Sequence, residues 1–148
     1  METSVLAILI SLGALALGVV NALISSRQRS RQQDSAVTGD LYPVLRNLRD
    51  AGWQYAKPLG GQSLDDLVIL HYALIDLLDL RPAIQEEELR QRVDELLEHD
   101  AASLALSIDP PRLVTVGFPE DTLAGFHDFA ERAQMAVERC QSLRRGAT

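Results

Sequence analysis

The sequence predicts an all-α protein: one N-terminal transmembrane helix, then a small cytoplasmic helical bundle of about four helices. Three observations predict it. Residues 5–24 are a run of 20 without a charged side chain. The remainder repeats apolar residues at spacings of three and four, the period of a helix with one buried face. Only one run, Leu113-Val114-Thr115-Val116, reads as β, and a lone strand leaves its backbone groups without a partner strand.

The run 5–24 comes first. At about 1.5 Å per residue it spans about 30 Å, the thickness of a bilayer's hydrocarbon core. Its polar side chains are Ser11 and Asn21 alone. The rival reading is a cleaved signal peptide, which needs a basic leader, a shorter apolar stretch and a small-x-small cleavage site. The leader here is Met1-Glu2-Thr3-Ser4 and no Ala-x-Ala follows the run. Arg27, Arg29 and Arg31 stand just after the span, and only Glu2 and the amino terminus stand before it. The positive-inside rule then places the C-terminal body in the cytoplasm, at the inner membrane, with the N-terminus outside.

Ala7, Ser11, Ala14, Gly18, Asn21 and Ala22 recur at three and four and so share one face of that helix. Small side chains let two backbones approach, and Asn21 can hydrogen-bond across the contact. The seam is a candidate for membrane-helix packing. An Ala-rich helix in an Ala-rich chain gives the same pattern without such a role.

The expected organisation is an anchor at 1–25, a polar juxtamembrane linker at 26–39 and a helical domain at 40–148. The linker either continues the anchor helix for a turn or two or is flexible; nothing in it holds a core. Asp40 is the expected N-cap of the first body helix, with Pro43 in its first turn and Leu41, Val44, Leu45 and Leu48 on its inner stripe. Lys57-Pro58-Leu59-Gly60-Gly61 reads as a loop. Ser63-Leu64-Asp65-Asp66 resembles a capping box. Leu64, Leu67, Val68, His71, Leu74, Ile75 and Leu78 then form the expected inner stripe of the second helix, widened by Ile69, Leu70 and Leu77. That helix is expected to be the most buried.

Pro82 is expected to open a third helix running to Asp109, with Leu89, Val93, Leu96, Leu97 and Leu104 inside. Glu86–Arg90 and Glu88–Arg92 are expected i, i+4 pairs on it. Residues 113–116 are expected to be an extended connector, or a strand that pairs with a second copy or a partner. Pro119-Glu120-Asp121 opens the last helix, whose stripe is Leu123, Phe126, Ala130, Ala133, Val137 and Cys140.

Composition bounds the function. The chain has 148 residues, 14 basic and 21 acidic, net −7. Lys57 is the only lysine among the basic residues, and the Ala, Leu and Arg bias makes a GC-rich bacterial genome the expected source. Cys140 is the only cysteine, so no intrachain disulfide forms. Charge is segregated along the chain. Residues 3–64 carry six basic and three acidic side chains, 65–131 carry four and sixteen, and 132–148 carry four and one. Arg27, Arg29 and Arg31 are the candidate membrane-surface charges. The acidic middle is repelled by nucleic acid and is a candidate face for a basic protein. The C-terminal Arg139, Arg144 and Arg145 either join the membrane surface or lie on that middle.

Chemistry is sparse. Glu95–His99 and His127–Glu131 are i, i+4 pairs, and His71 lies on an apolar face. A di-iron bundle needs Glu-x-x-His twice with two further glutamates, and the chain lacks that pattern. Cys140 falls on a small-residue stripe and reads as buried and inert. Gly60-Gly61 has none of the flanking pattern of a phosphate loop. Trp53 and Tyr55 either meet the membrane interface or fasten the first loop to the core.

The function expected from these features is a non-enzymatic, membrane-anchored interaction protein: a scaffold or regulatory accessory subunit with an acidic helical docking domain. Expected partners are the lipid bilayer, a second copy or another membrane protein along the seam, and a basic protein; no cofactor and no nucleic acid is expected. Two other classes stay open. One is a small membrane-bound metal-binding bundle or enzyme using His71, His99 and His127. The other is a membrane-active stress or defence effector that oligomerises through the span.

Overall fold

A computed structural model of the chain describes residues 2–56, 64–107 and 120–146. It is all-helical, with no strand among the described residues. The helices are α1 (Glu2–Tyr55), α2 (Leu64–Leu80), α3 (Glu87–Leu97), α4 (Asp100–Ser107) and α5 (Glu120–Gly146), with a 3-10 turn at Arg81–Ala83. The 57–61 loop, the cap expected at Ser63 and the β-like run 113–116 lie outside the described residues. The chain divides into two units, Met1–Gln33 and Asp34–Thr148.

In the first unit every described side chain of α1 from residue 7 to residue 29 is exposed. Ile10 is 65%, Leu15 70% and Leu17 72% exposed, so the apolar surface is open on all sides. Among the described residues α1 is the one helix long and apolar enough to cross a membrane, and it lies near the N-terminus.

The second unit contains the end of α1 and the four helices that follow. No helix starts at Asp40: α1 runs through residues 26–39 and places Pro43 inside it. Pro43 lacks the N–H that would reach the Gly39 carbonyl. Gly39 is exposed, so water can satisfy that carbonyl. Upstream of Asp40, Thr38 is already buried, its hydroxyl donating to the Ser35 carbonyl at 3.1 Å. Leu41, Leu45, Leu48, Ala51 and Tyr55 continue the buried stripe as expected.

The centre of this unit is α5. Phe126, Phe129, Ala130, Ala133, Ala136, Val137 and Cys140 are all buried. One side of α5 meets the end of α1, through Cys140 to Thr38, Gln141 to Tyr42, Gln134 to Arg49, and Phe126 to Tyr55. From Thr38 to Tyr55 on α1 the partners on α5 go from 140–141 down to 126, so the two run antiparallel. The two helices pass close together at Gly52. A Cβ there would stand 3.1 Å from the Ala130 Cβ and 3.3 Å from its Cα. The other side of α5 meets α3 and α4 by the same rule, through Arg139 to Glu86, Met135 to Arg92 and Asp128 to His99.

Two expectations are corrected here. The expected third helix is a 3-10 turn and two α-helices. Its first part stays short because Pro82 falls in the turn and Glu86 caps α3, accepting the Leu89 N–H at 2.6 Å. It breaks again at Glu98-His99, where His99 starts α4. The second correction is that α2 is not the most buried helix. Its buried residues are Leu67, Leu70, Ala73, Leu74 and Leu77, while Ile69, Tyr72, Ile75 and Leu78 are 36–55% exposed. The buried face is turned by roughly one residue, about 100°, from the expected stripe. Apolar residues nearly surround α2, so spacing alone does not fix which way it faces.

Candidate functional site

The residues singled out for the membrane helix all sit on the first part of α1. Ala7, Ser11, Ala14, Gly18, Asn21 and Ala22 are exposed, and nothing lies within 4 Å of where a Cβ would stand on Gly18. Helical backbone through residues 7–22 puts these side chains on one face. Arg27, Arg29 and Arg31 follow on the same helix, also exposed, and no acidic partner stands near them among the described residues.

The acidic middle separates into two kinds of carboxylate. Those of α3 are largely neutralised. Arg139 donates to Glu86 at 2.6 Å and meets Glu88 at 3.1 Å, and Arg81 holds Asp94 through two bonds of 2.7 and 2.9 Å. Arg139 therefore lies on the acidic middle. Its hydrogen bond holds the Glu86 carboxyl below the usual range, as that of Arg81 does for Asp94. Glu86 makes no pair with Arg90; Glu88 and Arg92 do meet, at 3.9 Å. By contrast, α2 carries four aspartates and no Lys or Arg. Asp65, Asp76 and Asp79 are exposed, with no basic side chain in ion-pair reach among the described residues.

The exposed side of α2 is the feature that periodicity alone missed. Val68, His71, Ile75 and Leu78 are spaced three, four and three, and so lie in one strip. Val68 and His71 are half-buried, and Ile75 and Leu78 are 36% and 44% exposed. Tyr72, Asp65, Asp76 and Asp79 form the outer border of the strip at about 100° per residue. The signal for this lay in the aspartates, which mark the side of α2 that faces water.

The three histidines occupy three separate places. His71 is bonded through Nδ1 to the Ala105 carbonyl at 2.8 Å, so Nδ1 carries the proton and α2 is tied to α4. His127 is exposed, its ring edge-on to Trp53 at 4.9 Å and 3.9 Å from Glu131. His99 leaves Glu95 and turns to α5, where Nε2–H donates to Asp128 at 2.9 Å. Its Nδ1 accepts the Ala101 N–H at 3.1 Å, the bond an N-cap side chain makes to the second residue of a helix. Asp128 also accepts from Arg132, and the two bonds hold its carboxyl below the ordinary range. Among the described residues no three His, Cys, Asp or Glu side chains gather as metal ligands.

Cys140 donates its S–H to the Thr38 carbonyl at 3.4 Å. Burial pushes its pKa up to about 11, against a smaller opposing pull from Arg144. Such a thiol is a packing residue, not a nucleophile. Tyr55 is buried on Phe126 with ring centres 5.0 Å apart, so it fastens the end of α1 to α5. Burial raises its pKa, and Asp66 adds to the rise. Arg144 stacks over the Tyr42 ring at 5.0 Å. No protein-family model, curated protein or solved structure matches the chain.

Proposed function

We propose that this chain is a single-pass membrane protein of the inner membrane and acts without catalysis, as a scaffold or regulatory accessory subunit. Residues 5–24 cross the bilayer with the N-terminus outside. The helical body, a bundle built around α5, stands in the cytoplasm and offers its acidic side to partners. One observation carries the reading: nine large apolar side chains between Ile8 and Ile24 are each at least half exposed. Fully burying each is worth about 1.5–3 kcal/mol, so the stretch is far more stable in lipid than in water. The charges agree with this orientation. Arg27, Arg29 and Arg31 attract anionic headgroups at about 1 kcal/mol each, whereas the α2 aspartates are repelled by them.

The test of topology is a C-terminal reporter fused to the full chain. Activity in the cytoplasm is expected; activity only on the far side of the membrane contradicts it. The test of the interaction role is crosslinking in native membranes followed by detergent extraction. A crosslinked species containing a second polypeptide is expected, and monomer alone contradicts it.

A further inference from the structure

We infer that the exposed strip of α2 is the docking face for a basic amphipathic helix of a partner protein. The inference rests on the interaction role proposed above and gives it a surface and a chemistry.

Spacing supplies the shape of the occupant. Val68, His71, Ile75 and Leu78 repeat at three, four and three, the spacing by which one helix receives another. The β-branched Val68 and Ile75 alternate with His71 and Leu78, as a and d positions do in a two-helix contact. The strip is held in place from behind. Leu67, Leu70, Leu74 and Leu77 are buried in the core, and the His71 ring is bonded to the α4 backbone. The face is thus pre-ordered, and an incoming helix does not have to organise it.

Charge supplies the chemistry of the occupant. The border of the strip carries Asp65, Asp76 and Asp79, and α2 has no cation of its own. The nearest arginine in sequence, Arg81, is spent on Asp94. Glu86, Glu88 and Asp94 have arginine partners, while Asp65, Asp76 and Asp79 have none among the described residues, so negative charge stays open along the strip's border. A second copy docked by the same face would bring three more aspartates to the contact and no cation. An anionic lipid surface would be repelled for the same reason. A helix with Leu or Ile along one strip and Lys or Arg beside it satisfies both requirements.

The full chain in neutral detergent micelles is titrated with two labelled peptides. One is a designed helix with a Leu/Ile strip flanked by Lys and Arg; the other has the same strip flanked by Glu. The basic peptide is expected to bind, more weakly as salt rises, and the acidic one not to bind. Ile75→Gln with Leu78→Gln is expected to weaken binding by about tenfold or more. Asp76→Asn with Asp79→Asn is expected to weaken it and flatten its salt dependence. All four side chains are exposed, so unchanged circular dichroism is expected in both variants. Refusal of the basic peptide, equal binding of both peptides, or binding that neither variant weakens would overturn the inference. So would a dimer of the unmodified chain that Ile75→Gln with Leu78→Gln dissolves, since the occupant is then a second copy. A chain that yields partner crosslinks in native membranes yet refuses the basic peptide keeps its interaction role and loses this face.

Discussion

His99 joins two helices with one ring. Its Nδ1 caps α4 and its Nε2–H reaches Asp128 on α5, so one neutral tautomer serves both bonds. His99→Ala removes the cap and is expected to cost about 1 kcal/mol, whereas His99→Asn restores the cap and recovers part of it. Urea unfolding of the two variants checks this; a His99→Ala variant as stable as the wild-type protein would contradict it. Sequence spacing offered Glu95 as the partner of His99, one turn away. The actual partner lies 29 residues on, and no local rule points to it. Cys140 was legible, because its neighbours on the stripe are small and apolar. Its raised pKa has a consequence with a definite sign. The folded chain keeps the thiol proton up to about 11, against an ordinary value of 9.0. Between those values the unfolded chain binds fewer protons, so stability falls as pH rises through that window. Cys140→Ser is expected to remove this alkaline component. Unfolding curves at pH 8 and pH 10.5 show it as a smaller loss in the variant (these pH values are about one unit below and half a unit short of the two limits).

At the scale of elements, α1 and α2 teach opposite lessons. Leu41, Leu45 and Leu48 were readable because Asp40, Arg46, Asn47, Arg49 and Asp50 leave only one face of that stretch of helix apolar. The start of that helix was not readable, since Asp40 and Pro43 form a good local signal for an N-terminus. A continuous helix overrides the signal at the cost of one hydrogen bond to Gly39. Pro43→Ala restores that bond at an exposed site. It is expected to stabilise the body by up to about 3 kcal/mol, read as a higher midpoint in thermal or urea unfolding. No change would place Pro43 in a first turn and contradict the continuous helix. In α2 the difficulty was excess. With apolar residues on nearly every side, the period is clear but the rotation is not, and the half of the stripe at Val68, Ile75 and Leu78 faces outward. The split between α3 and α4 was equally hidden, because Leu97 and Leu104 keep a helical period across Glu98 and His99.

At the scale of the whole chain, charge and greasiness are sorted along the sequence, and this was the most legible property of all. The uncharged stretch, the arginines after it and the acidic middle are visible as composition. The pairing of Arg139 with Glu86 and Glu88 was not, because it depends on α5 running antiparallel to α3. If the small-residue seam of the span is used for contact between copies, Gly18→Leu reduces crosslinked dimer in membranes. Dimer yield unchanged by that substitution would deny the seam that role. Most depends on the apolar part of α1 residing, uncut, in lipid. The direct measurement is the intact mass of the full chain recovered from carbonate-washed membranes. A polypeptide that still carries residues 1–24 and stays with the membranes is the predicted result. Release into the wash, or a mass that begins beyond Ile24, would contradict it.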